Sequence, residues 1–181
     1  MSNVNVFLFV VQHKNYTDAE KIMKTILKAE SGKRNDQSQM KESVRKAEID
    51  KAFVGFSNAC VDKQEFAMAY FQRGNCYMMM HDYKRALYDF SAAILSETRY
   101  TGKNSELDKV KSVGLPTFYM YGGQCNYYLG QYEEALAHYE IALNKQNSKE
   151  NKGDNDIKSK IFYNRGLANA SLNKYQDAIN D

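Results

Sequence analysis

The chain has 181 residues, 43% of them hydrophobic, and its 25 basic and 22 acidic side chains leave a formal charge of only +3. That length can bury one continuous core, and so small a charge, spread along the chain, excludes the clustered cations of a nucleic-acid-binding face. The three cysteines follow no zinc or redox spacing, which leaves core packing in a reducing compartment as their reading.

In chain order, the first apolar run is "VNVFLFVV" at 4–11. It has no cationic flank and no small-residue cleavage site, and it is too short to cross a membrane, so it reads as a helix of a first helical pair rather than a signal peptide. Val4, Phe7, Leu8 and Val11 give it an apolar face. The stretch "KRNDQSQMKESVRK" (33–46) supplies only a polar, short or frayed helix before a second apolar stripe of Ile49, Ala52, Phe56 and Ala59. The segment "AYFQRGNCYMMMHDYKRALYDFSAAI" (69–94) reads as two helices with a turn at "HD". A polar insertion at 101–115 follows, then a helical pair over 116–149 turning at "LGQ", with Pro116 at a helix start where its missing N–H costs little. After a second polar insertion at 150–158, a last pair over 159–181 turns at "LNK" and stops partway through its second helix, which points to a segment of a longer repeat protein.

These elements repeat. The pattern Tyr, two residues, Ala occurs as Tyr16/Ala19, Tyr83/Ala86, Tyr132/Ala135 and Tyr175/Ala178, and Ile49/Ala52 is a fifth copy with Ile in the Tyr place. The alanines lie 33, 34, 49 and 43 residues apart, a unit near 34 with insertions of 15 and 9. Four residues after the first four alanines stands a bulky group (Met23, Phe56, Phe90, Tyr139), and twelve before the last three stands a glycine (Gly74, Gly123, Gly166). An aromatic precedes each glycine by four: Tyr70, Tyr119, Phe162. A glycine inside a helix costs about 1 kcal/mol relative to alanine, so its recurrence calls for close packing. The expectation is that the first helix of each pair lays its glycine under the alanine of the second.

With this spacing the sequence resembles the tetratricopeptide repeat, a 34-residue helix-turn-helix with the pattern W-x2-L-G-x2-Y, A-x3-F, P. The 67–100 unit carries Tyr70, Arg73, Gly74, Tyr77, Ala86 and Phe90, with Thr98 in the proline place. The 116–149 unit carries Tyr119, Gly122, Gly123, Ala135 and Tyr139, and the 159–181 unit carries Phe162, Arg165, Gly166 and Ala178; Asn126 and Asn169 replace the second aromatic. Units 1–32 and 33–66 are divergent. The resemblance implies a single all-α, right-handed solenoid of about five helical hairpins, acting as a non-catalytic scaffold whose concave groove, lined by first helices, receives a peptide or partner helix.

Opposite the face of Tyr70, Gly74 and Tyr77, the helical period places Met68, Gln72, Asn75 and Met79. Their counterparts are Thr117, Tyr121, Gln124 and Tyr128, then Lys160, Asn164, Leu167 and Ser171. Only Lys160 is charged, and Phe71 and Tyr121 stand where a clamp for chaperone C-terminal carboxylates would place polar or cationic groups, so an uncharged or amphipathic protein segment is the expected partner. A local resemblance to the Rac-binding cytosolic subunit of the phagocyte NADPH oxidase, in "AYFQRG" followed by an insertion, implies small-GTPase binding through 101–115 as one alternative, the chaperone carboxylate clamp being the other.

No nucleophile sits beside a base, and no phosphate-loop lysine follows "YGGQC", so no enzyme activity, cofactor or small-molecule substrate is expected. His13, His81 and His138 lack partners at metal-ligand spacing and read as solvated or capping residues. The sequons at Asn15 and Asn169 read as chance without export. The expected setting is cytoplasmic, with no nucleic acid or membrane partner, and family analogy suggests a cytoskeletal or ciliary assembly.

Overall fold

The computed structural model describes residues 3–31, 42–61, 67–99, 114–146 and 155–181. Of the insertions expected at 101–115 and 150–158, residues 101–113 and 150–154 lie outside the described residues, as do 33–41 of the polar stretch, whereas 114–115 and 155–158 are helical.

Every described element is an α-helix: α1 (Asn3–Ser31), α2 (Glu42–Val61), α3 (Ala67–Met79), α4 (Tyr83–Arg99), α5 (Gly114–Tyr128), α6 (Tyr132–Gln146), α7 (Asn155–Ser171) and α8 (Tyr175–Asn180). Each packs on the next in chain order, and α5 also touches α7, so the helices build a solenoid of antiparallel pairs. Three apolar clusters run along it. The first joins α1 and α2 to Ala69 and Cys76 of α3, the second joins α3 and α4 to Phe118 and Cys125 of α5, and the third joins α5 and α6 to Ile161 and Ala168 of α7. The three cysteines are free and buried, as expected. Pro116 lies in the first turn of α5.

The tight turns fall at "HD", "LGQ" and "LNK", and one mechanism makes all three. The chain enters the left-handed region at His81 (φ 60°), Gly130 (φ 76°) and Asn173 (φ 58°). The next amide then reaches back to the carbonyl five residues earlier: Asp82 to Tyr77, Gln131 to Asn126 and Lys174 to Asn169, each at 2.9 Å. The left-handed residue itself donates three residues back, to Met78, Tyr127 and Ala170, each at 3.0 Å. This paired return satisfies the last carbonyls of the first helix. At the start of α4, Asp82 Oδ1 accepts from the Arg85 amide at 3.1 Å and caps the helix.

The same mechanism explains where the first 66 residues depart from the repeat pattern. The sequence predicts a hairpin within 1–32, with a turn before Tyr16, but α1 runs unbroken from Asn3 to Ser31. The residue two before the repeat tyrosine, which is left-handed in the three turns, is Lys14 here, and it is Ala47 before Ile49. Neither type adopts that conformation cheaply, and α1 contains no glycine or proline. The described part of the first two units is therefore one long pair, in which the Tyr16 and Phe56 rings meet at 5.6 Å. A methyl built on Gly55 would lie 2.7 Å from the Ala19 methyl, so this pair also has its close approach.

The glycines of the later pairs differ from expectation in their partner. Gly74 lies under the ring of Phe90, where an added Cβ would come within 2.7 Å, and Gly123 under the ring of Tyr139, at 2.5 Å. Ala86 and Ala135 are fully buried, but the space each glycine vacates is filled by the aromatic four residues further on. A flat ring laid across a helix needs the room of a whole side chain. A Cβ on Gly166 would make ordinary contacts with the Ala178 carbonyl at 3.4 Å and Asp181 Cβ at 3.5 Å.

Candidate functional site

The first helices α3, α5 and α7 place the twelve sequence-derived positions unequally. Thr117 leaves the set: it is buried at 5% exposure in the first turn of α5, between the fully buried Pro116 and Phe118. The turn that carries it is wedged between repeats, so its side chain faces the core. Met68 is half-buried, packed against the first and second clusters, and Met79 packs against the first. Asn75 Nδ2 donates to Gln72 Oε1 at 3.1 Å. Gln72 lies beside the Tyr16 phenol, which burial, helped by the charge of Glu20 and opposed by the Gln72 contact, pushes up to about 12.

Tyr121 is chiefly a packing residue. Its ring meets Phe71 at 5.3 Å and Phe90 at 5.5 Å, and burial raises its pKa while the positive charge of Lys160 opposes the rise. The fold thus brings Tyr121 of α5 near Lys160 of α7, two positions 39 residues apart in sequence. Lys160 is exposed and lies 2.5 Å from Asp156 one turn earlier. Gln124 and Asn164 are half-buried, while Leu167 and Ser171 are exposed at the end of α7.

Tyr128 has a different environment. It is 56% exposed, and its ring stacks on Tyr83 of the preceding pair at 4.7 Å and 17°. Tyr127 meets it edge-on at 5.7 Å and in turn meets Tyr132 at 5.5 Å. The Tyr83 hydroxyl is fixed by His81 Nδ1 at 2.9 Å. The turn-side ends of α4, α5 and α6 therefore carry four tyrosine rings, one of them, Tyr128, largely open to solvent and held in orientation by its neighbours. Such rings offer contact area at low entropic cost.

The sequence pattern alone did not reveal a polar staple within each pair. Arg73 donates to Asp89 through Nε and Nη2, each at 2.7 Å, and this bond raises the guanidinium pKa further. Arg165 Nε donates to Asp181 at 2.8 Å in the same register, joined by Asn169 Nδ2 at 3.0 Å. Between them, Gly122 takes the arginine place and His138 the aspartate place. His138 Nδ1 lies 3.0 Å from Asn126 Nδ2 and 3.0 Å from the Glu134 carbonyl. The sequence points to a solvated or capping His138; it is instead a half-buried clasp, because the absent side chain at Gly122 leaves room for its ring, whose Cδ2 lies 3.2 Å from where a methyl on that glycine would stand. Asn126 and Asn169, which depart from the repeat pattern, are the residues that reach His138 and Asp181. The sixteen-residue spacing of Arg73/Asp89 and Arg165/Asp181 was the available signal.

Burial pushes the thiols of Cys60, Cys76 and Cys125 up to about 12, which keeps them neutral and unreactive. Among the described residues, no three His, Cys, Asp or Glu side chains could hold a metal ion, and no described helix is long and apolar enough to cross a membrane.

No family model and no curated protein matches the chain. Among solved structures it is similar to two crystal structures of MamA. One has 18% sequence identity and a TM-score of 0.53 and aligns over 73% of this chain, which spans 63% of that protein's length. The other has 15% identity and a TM-score of 0.54 over 99% of this chain and 88% of that one. The likeness is one of fold. It places the chain among all-helical repeat solenoids.

Proposed function

We propose that the chain is a tetratricopeptide-type, non-catalytic interaction scaffold that binds an uncharged or amphipathic protein segment along the face of α3, α5 and α7. The observation that supports this reading is the exposed Tyr128 ring, stacked on Tyr83 across two repeats. An aromatic plate fixed in advance gives a partner apolar area and hydroxyl hydrogen bonds without an ordering cost. From Tyr128 the partner would run past Gln124 and Gln72 toward Asn164 and Lys160. Tyr121 and Thr117 act beneath that surface by packing. A single exposed cation already beside Asp156 suits such a segment better than a carboxylate-bearing chain terminus. The setting we propose is a larger cytoplasmic assembly, cytoskeletal or ciliary, in which repeat arrays serve as spacers.

The test is a comparative capture on immobilised protein. Tyr128→Ala removes the plate, whereas Tyr88→Ala removes a still more exposed ring from α4; circular dichroism checks that both keep the wild-type helicity. Loss of a partner with Tyr128→Ala and its retention with Tyr88→Ala is the expected result. Retention of every partner by both variants would overturn the reading.

A further inference from the structure

Three consecutive methionines close α3, and helical spacing turns their thioethers in three directions. Met79 packs against the first apolar cluster, Met78 packs against the second, and Met80 is 37% exposed at the turn. Met78 Sδ lies 3.3 Å from Sγ of Cys125 on α5, short for two sulfur atoms, and the thiol donates its proton to the thioether. Cys125 is fully buried and Met78 only half-buried, so solvent reaches the acceptor's side chain and not the donor's. In the next pair the place of Met78 is taken by Tyr127, and the thioether of that cluster, Met120, is 3% exposed. Cys125 stands three residues before Tyr128, and Met78 five before Tyr83 across the turn. The sulfur contact and the Tyr83–Tyr128 stack therefore bridge the same two pairs.

We infer that Met78 is a site of reversible oxidation by a hydroperoxide, and that its sulfoxide uncouples the α3/α4 pair from the α5/α6 pair. The thioether lone pair attacks one peroxide oxygen and the O–O bond breaks. A proton passes to the departing oxygen, so hydrogen peroxide yields the sulfoxide and water. Sulfur gives up two electrons, the peroxide takes them, and no further reactant is required. The product is polar where the thioether was apolar. Its oxygen needs room that a 3.3 Å sulfur contact does not leave, and burying it unpaired is costly. Either the two sulfur atoms separate or the Met78 side chain swings out to water. Both changes weaken the hold of α3 on α5 and shift Tyr128 away from Tyr83. Oxidation of Met80 has no such consequence, because its side chain already meets solvent. The inference is independent of what the Tyr128 plate binds.

The test applies hydrogen peroxide at neutral pH to the folded full chain, locates sulfoxides by peptide mass spectrometry and follows stability by thermal melts. Early conversion of Met80 should leave the melting temperature unchanged. Later conversion of Met78 should lower it by roughly 4–8 °C, and methionine sulfoxide reductases should restore it. Amide hydrogen exchange should quicken in α3 and α5 but not in α1. Met78→Leu conserves side-chain volume and removes the sulfur; the same treatment should leave its melting temperature within about 1 °C of the untreated variant. Alkylation after unfolding should still find Cys125 as a free thiol. Met78 unmodified once Met80 is fully converted, a fall in melting temperature that tracks Met80, or an equal fall in Met78→Leu would overturn the inference. So would loss of the Cys125 thiol in place of Met78 oxidation. The order of the two steps is read on the wild type, so it decides the matter whatever leucine does to the junction.

Discussion

The α3/α4 and α5/α6 pairs share their turn geometry and their glycine-under-aromatic contact, yet they are fastened by different chemistry. The first uses a buried ion pair, with the Asp89 side chain 1% and the Arg73 side chain 19% exposed. The second uses a clasp of the Asn126 amide and the His138 ring over a glycine, with no carboxylate in it. The difference teaches that the backbone of the repeat is set by the turn and by the close approach, while the groups that bridge the two helices can be exchanged as a set. It also makes the two pairs unequal in what they lose when one member is removed.

The largest expected effect is at the ion pair. Asp89→Ala leaves the guanidinium of Arg73 without its partner and should destabilise by about 3–5 kcal/mol, read as a lower denaturant midpoint. His138→Ala removes a hydrogen bond to the Asn126 amide and should cost about 1–2 kcal/mol. Equal losses at the two sites would break the distinction.

The glycines come next, and here the sign discriminates. Gly74→Ala and Gly123→Ala push a methyl into a buried ring and should cost about 1–3 kcal/mol through overpacking, despite the propensity gain. Gly166→Ala meets only ordinary contacts and should gain about 0.5–1 kcal/mol from helix propensity. Thermal melts of the three variants decide it, and unchanged or raised stability of Gly74→Ala and Gly123→Ala would show that the ring is not the reason for those two glycines.

A transplant sharpens the comparison further. Gly122→Arg with His138→Asp should rebuild the arginine–aspartate staple in α5/α6 and hold stability within about 1 kcal/mol of wild type. Gly122→Arg alone places a cation against His138 with no carboxylate and should be the less stable protein. The reverse order would mean that the neighbouring side chains, rather than the pair itself, determine the fastening.

The smallest effect is on pH dependence. Burial raises the pKa of Cys60, Cys76 and Cys125 to about 12, from an unfolded value of about 9. The unfolded chain therefore releases these protons first, so their stabilising contribution is complete below about pH 9 and declines as pH rises toward 12. At pH 8 a thiol reagent should modify the native protein far more slowly than the urea-unfolded chain.

The repeat, its turns and its buried face were legible because they depend on local rules: a left-handed residue before the second helix, small residues where backbones approach, and apolar groups at helical spacing. The hairpin expected in residues 1–32 failed by the same rule, since Lys14 occupies the place of His81, Gly130 and Asn173. The direction of each glycine contact was not legible, because which side chain of the opposing helix lies over it depends on the stagger of the pair. Thr117 was misplaced as a surface residue for a related reason: a helical wheel gives a face, but the wedge of the neighbouring repeat decides how much of that face stays open, and it leaves Tyr121 half-buried. The staples were visible as a sixteen-residue arginine–aspartate spacing in two units, and the α5/α6 pair disguised its own by carrying Gly122 in the arginine place and His138 in the aspartate place.

The interaction face is tested most directly by photocrosslinking. With p-benzoylphenylalanine in place of Tyr128, irradiation in the presence of a captured partner should give a covalent adduct, while the same group in place of Tyr88 on α4 should give none. An adduct formed from position 88 and not from 128 would contradict the assignment and move the binding surface to the second helices.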